Sequence, residues 1–179
     1  REMTDYGICS EAAGEAYSMA TLGRDIYISS YPGARVSVYD PSKPYEFGFD
    51  ERSNPRDLGR IDDISYRPRS TLAGPLGEVW LASVPDYGMW GGPLSRYNPL
   101  AGEKHAYYRI CGDASCYTLA WVEDLDLLVV GTTVQGGSGT QPKVDNATVF
   151  LFDYHTETKV WEQAPIAISS IASGSGTGG

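Results

Sequence analysis

Val79-Trp80-Leu81-Ala82-Ser83, preceded by Ser70-Thr71-Leu72-Ala73 and followed by Leu94-Ser95-Arg96-Tyr97-Asn98-Pro99, is the stretch from which the fold can be read. The middle run is continuously apolar and short, with glycine and proline on both flanks. That pattern reads as a strand buried on both faces rather than as a helix. The run before it is small and apolar. The run after it alternates and stops at Asn-Pro, a turn signal.

The same three runs occur twice more. Tyr17-Ser18-Met19-Ala20, Ile26-Tyr27-Ile28-Ser29-Ser30 and Val36-Ser37-Val38-Tyr39-Asp40-Pro41 lie upstream. Tyr117-Thr118-Leu119-Ala120, Leu127-Leu128-Val129-Val130-Gly131-Thr132 and Val149-Phe150-Leu151-Phe152-Asp153 lie downstream. Ala20, Ala73 and Ala120 are 53 and 47 residues apart, and Asp40, Asn98 and Asp153 are 58 and 55 apart. Each unit closes on a more polar run, at 56–60, 106–110 and 159–162. Four antiparallel strands in about fifty residues make a propeller blade. The predicted class is therefore all-β: a single partial β-propeller domain over 1–179, with blades at 12–60, 61–112 and 113–164. In such a ring the first strand is small because it lines a crowded channel, and the second is sandwiched between blades.

Ile168-Ser169-Ser170-Ile171-Ala172 restarts the first-strand pattern, so 165–179 reads as the start of a further blade. The Gly/Ser-rich tail then falls where an inter-strand turn belongs; a flexible tag is the other reading. Closed propellers have about four to eight blades. Three blades and a stub predict a segment of a larger ring, completed by remaining blades on a separate chain or in a missing segment. A ring of identical copies is the alternative. Arg1 is no translational start, which predicts that something preceded it.

The chain carries 23 acidic and 14 basic residues, net charge -9. This argues against nonspecific binding to nucleic acid or anionic membranes. No apolar run reaches the roughly 18 residues of a membrane span. Of three cysteines, Cys111 and Cys116 enclose four residues and suggest a small disulfide loop, leaving Cys9 over; three reduced thiols is the other reading. Asn146-Ala147-Thr148 is a glycosylation sequon. Together these favour a secreted protein.

Two segments carry candidate chemistry. In Tyr66-Arg67-Pro68-Arg69, two arginines flank a proline just before a buried strand, so both guanidinium groups are held. Arginine forks match carboxylates and phosphates. The functional reading is recognition of an anionic group such as a uronic acid; the bland one is salt bridging between blades. In Asp86-Tyr87-Gly88-Met89-Trp90-Gly91-Gly92, aromatic rings on a glycine-hinged loop suit sugar stacking, with Asp86 for hydroxyls. The bland reading is a loop plugged into the top of the fold. Tyr31 and Tyr117 occupy equivalent rims. Gly136-Gly137-Ser138-Gly139-Thr140 lacks the Gly-Lys-Ser/Thr ending and the following helix of a phosphate cradle. His105 and His155 fall on the outer side. No metal-ligand spacing occurs and no cofactor is expected, though a calcium ion in the channel is left open.

Ser30-Tyr31-Pro32-Gly33-Ala34-Arg35, Tyr39-Asp40-Pro41, Asn54-Pro55-Arg56-Asp57-Leu58-Gly59, Tyr66-Arg67-Pro68-Arg69, 85–92 and 136–142 together resemble a family of bacterial and fungal propeller proteins. The family is similar to the secreted seven-bladed polysaccharide lyases that remove rhamnose from glucuronic acid in gum-arabic-type side chains. The resemblance implies that this chain is about half of a seven-bladed ring, acting on an acidic polysaccharide. A uronate lyase needs a cation for the carboxylate, a base for the C5 proton and an acid for the leaving oxygen. Arg67 and Arg69 would supply the first, and Tyr87 or Tyr66 the base or acid. Tyr31, Asp86, Trp90 and Tyr117 would bind the sugar, and a catalytic histidine would come from blades outside this chain. A glycan- or protein-binding module without chemistry and a purely structural propeller are the competing readings.

Overall fold

The computed structural model describes residues 3–165. Twelve strands form three four-stranded antiparallel sheets. The first sheet holds β1 (Ala16–Leu22), β2 (Asp25–Ser30), β3 (Arg35–Tyr39) and β4 (Arg56–Arg60). The second holds β5 (Ser65–Ala73), β6 (Val79–Pro85), β7 (Leu94–Asn98) and β8 (Glu103–Tyr107). The third holds β9 (Ser115–Val122), β10 (Leu127–Thr133), β11 (Val149–Asp153) and β12 (Thr158–Gln163). Strands follow sequence order across every sheet, and helix is confined to two short 3-10 segments among the described residues.

β6 shows why its run is continuously apolar. Side chains alternate between the two faces of a strand. Val79 and Leu81 pack with Tyr27 and Val36 of the first sheet. Trp80 and Ala82 pack with Leu128, Val130, Phe150 and Phe152 of the third. Every residue of β6 is buried, whereas β2 and β10 bury only part of their length. The second sheet is thus sandwiched and its neighbours are covered on one side. Trp80 is fully buried, so truncation to alanine costs about 4 kcal/mol.

The first strands touch in succession, β1 against β5 and β5 against β9. All three carry partly exposed residues along their length. Three expectations are corrected. β8 runs over Glu103–Tyr107, because Asn98 and Gly102 close a tight turn immediately before it (Gly102 N–H to the Asn98 carbonyl, 2.8 Å). Residues 66–69 lie inside β5 rather than ahead of it. Cys111 and Cys116 are not bonded: their sulfurs are 3.8 Å apart, beyond the roughly 2.05 Å of a disulfide. Both are buried in the cluster around Trp80, where they act as small apolar side chains. Cys9 is also free. The strand expected at 168–172 lies outside the described residues.

Candidate functional site

The first strand of each sheet carries a β-bulge near its start. In β1 the pairing passes from Ala16 to Ser18 while its partner moves one residue, so Tyr17 is the extra residue. In β9 the extra residue is Tyr117, between Cys116 and Thr118. β5 has two bulges, at Tyr66 and at Arg69. A bulge bends the strand and re-aims the side chain it carries. It also accommodates Pro68, which has no N–H to give a ladder.

The bulges converge. The Arg69 guanidinium lies 5.2 Å from the Tyr17 ring centroid and 5.5 Å from that of Tyr117. The Arg67 guanidinium lies 5.0, 5.4 and 5.7 Å from the rings of Tyr31, Tyr87 and Tyr66. Its Nη2 points to the Tyr87 hydroxyl at 3.4 Å. The tyrosines brace one another: Tyr17 stacks on Tyr31 at 5.7 Å, and Tyr66 meets both Tyr31 and Tyr87 edge-on at 5.4 Å. Each contact is in the range of a cation–π or aromatic pair.

Neither arginine has a carboxylate partner among the described residues. The buried Nε of Arg69 has no acceptor among the described residues. The bland reading of these arginines, as salt bridges between sheets, therefore does not describe them. Both line a depression of about 460 Å³, whose other wall is the glycine loop at 135–140 with Val84 and Pro142.

That loop is fixed by docking on the 85–92 loop. Gly88 N–H donates to the Ser138 carbonyl (3.0 Å) and Gly137 N–H to the Met89 carbonyl (2.8 Å). A Cβ on Gly137 would lie 1.7 Å from the Asp86 carbonyl oxygen, so the glycine is what allows this approach. The glycines serve loop packing.

The Tyr31 hydroxyl and the Arg67 guanidinium beside it hold the Tyr87 phenol below the usual tyrosine value. The same pairing with Tyr87 raises Tyr31. The site can thus offer two positive charges to an anion and, next to them, a phenol that gives up its proton more readily than usual.

Of the residues singled out by sequence, Arg67, Arg69, Tyr31, Tyr66, Tyr87 and Tyr117 come together here. Asp86 and Trp90 do not line this depression. The Asp86 carboxylate accepts the Tyr87 N–H (2.7 Å). The Trp90 indole N–H donates to the Gln141 carbonyl (2.9 Å), and the Lys143 ammonium sits 3.5 Å above its ring. Tyr17 was missed as a site residue, though it stands three places before Ala20 as Tyr117 stands before Ala120. Both histidines are exposed and away from the arginines, His155 against Asp126 (3.0 Å) and His105 against the Tyr107 ring (4.6 Å). Asn146, of the sequon, is partly buried.

No helix among the described residues is long and apolar enough to cross a membrane. No family model matches the chain, and no curated protein matches it in sequence. Among solved structures, it is similar to the extracellular domain of BT4673 from B. thetaiotaomicron, in one case described as a one-component system (TM-score 0.47, 15% identity, 79% of this chain). A second structure, described there as a hybrid two-component system, matches with TM-score 0.46, 13% identity and 79% coverage. The chain spans 16% of the length of each.

Proposed function

We propose that the three sheets are consecutive blades of a secreted, carbohydrate-active β-propeller, and that Arg67 and Arg69 receive the carboxylate of a uronic acid in an acidic polysaccharide. The observation that carries this reading is the state of the two arginines: side by side on a bulged strand, walled by tyrosines and without a carboxylate partner among the described residues. In an acidic chain, arginines left unpaired favour an anion from outside. Tyrosine walls add flat apolar surface suited to a sugar ring.

The chemistry this arrangement favours is β-elimination. Arg67 and Arg69 would spread the charge that builds on the carboxylate as the C5 proton leaves. Tyr87, its phenol eased toward ionisation by Tyr31 and Arg67, would take that proton. The electron pair then forms the C4–C5 double bond as the glycosidic oxygen departs, protonated by a group from the rest of the ring. Incubation with glucuronate-containing oligosaccharides tests this: the new double bond gives an ultraviolet absorbance, and Arg67→Ala abolishes it. Saturable binding with no unsaturated product would leave the site as a glycan-binding module. This second reading is favoured by the distance of both histidines from the arginines.

A further inference from the structure

Asp25 stands two residues before Tyr27 as Glu78 stands two before Trp80, and Tyr27 pairs with Val38 as Trp80 pairs with Arg96. The positions therefore correspond across the repeat. In the second sheet Arg96 closes on the Glu78 carboxylate at 2.9 and 3.0 Å. In the first sheet a valine occupies the place of that arginine, and Asp25 has no ion-pair partner among the described residues. Asp25 instead lines a depression of about 370 Å³, together with Tyr27, Glu51, Arg56 and Tyr97. That volume is within the range of small-molecule sites, about 300–1,000 Å³. The depression shares no residue with that of Arg67 and Arg69 and lies at the other end of β6, where Tyr97 pairs with Val79 while Arg67 pairs with Val84. Glu51 comes from the connection between β3 and β4, which runs over 40–55, whereas 99–102 and 154–157 suffice in the other two sheets. Connections of that length are uncommon in a compact fold and often carry binding residues.

Opposite charges face this depression without meeting. Arg56 and Glu51, like Asp25, have no ion-pair partner among the described residues, while Lys43 and Asp40 are paired with each other at 3.4 Å. Tyr27 and Tyr97 are each only 4% exposed, and neither hydroxyl has a hydrogen-bond partner among the described residues. Buried polar groups are normally bonded, so two hydroxyls left open in one depression point to a partner from outside the chain. Burial, with Asp25 and Tyr97 nearby, pushes the Tyr27 phenol up to about 12 against the pull of Arg56, so it remains a donor at neutral pH. The free groups are thus two carboxylates, one guanidinium and two phenols. A ligand that answers them carries two cations and one carboxylate, which is the charge set of a basic amino acid. A guanidinium fork suits the carboxylate.

We propose that this depression binds a free basic amino acid, with its side-chain cation on Asp25 in the place that Arg96 takes on Glu78, its α-ammonium on Glu51 and its carboxylate on Arg56. The site is independent of the uronate reading. It is tested by calorimetry with three probes: L-arginine; agmatine, which lacks the carboxylate; and citrulline, which lacks the side-chain charge. The parent protein is expected to bind L-arginine about tenfold more tightly than either of the others. Asp25→Asn weakens L-arginine to the level of citrulline, and Arg56→Gln weakens it to the level of agmatine. Val38→Arg restores the internal cation of the second sheet and abolishes binding. Unfolding midpoints of the variants separate lost binding from lost structure; should Val38→Arg fail to fold, the near-isosteric Asp25→Asn decides. Absence of L-arginine binding to the parent, equal affinity for citrulline, or affinity unchanged by Asp25→Asn or Arg56→Gln overturns the site.

Discussion

Arg96 and Arg67 lie on adjacent faces of the chemistry a guanidinium can do. Arg96 projects from β7 onto the Glu78 carboxylate, which it contacts at 2.9 and 3.0 Å, and also reaches Glu157 at 2.7 Å. Arg35 is used in the same way, between Asp57 (3.0 Å) and Glu11 (2.7 Å). Arg67 and Arg69 have tyrosine faces where those two have carboxylates. In an ion pair inside the fold, the terminal nitrogens of the guanidinium are taken by carboxylates. A guanidinium held by π faces is positioned equally well, but its hydrogen bonds remain available. The contrast is between arginines paired with carboxylates of the fold and arginines held against tyrosine rings.

The largest expected effect lies on the structural side. Glu78 is 3% exposed, so Arg96→Ala leaves a buried carboxylate without its cation and costs about 3 kcal/mol of stability, read from denaturant unfolding. A loss below about 1 kcal/mol would show that Arg96 is not structural, and the comparison would collapse. On the other side, Arg67→Ala should lower turnover or uronate binding about a hundredfold while leaving the unfolding midpoint nearly unchanged. A variant that unfolds instead would place Arg67 with Arg96.

Gly137→Ala sharpens the comparison from the loop side. Its methyl meets the Asp86 carbonyl, so it should cost about 2 kcal/mol and weaken the site by parting the two loops. The smallest effect expected is a shift in pH dependence. Tyr87 acting as base makes activity rise with pH as the phenol ionises, below the usual tyrosine range. Tyr31→Phe removes the group that chiefly lowers Tyr87, so the rising limb and the tyrosinate absorbance move to higher pH. Tyr87→Phe should eliminate the limb. A pH profile indifferent to both variants would leave Tyr87 a wall of the site and nothing more.

Much of this was legible before any coordinates. The 53- and 47-residue spacing of Ala20, Ala73 and Ala120 announced three equivalent units, because each sheet needs the same local pattern to bury the same positions. The alternating partners of Val79, Trp80, Leu81 and Ala82 follow from a period of two with both faces covered. Arg67 and Arg69 stood out because proline between two arginines is a local peculiarity. Cys111 and Cys116 misled for the opposite reason: spacing five apart permits a bond, but burial alone also explains two cysteines in a core.

Local sequence thus determined strand positions, the repeat and the arginine pair, since each depends on near neighbours along the chain. Only the tertiary structure decided which tyrosines hold those arginines and that Trp90 does not line their depression. A bulge is a one-residue offset between two strands, set by the register of the whole pair rather than by the residue that protrudes. Tyr17, Arg69 and Tyr117 are 52 and 48 residues apart in sequence, and come within reach of one another only because three such offsets occur side by side on packed inner strands.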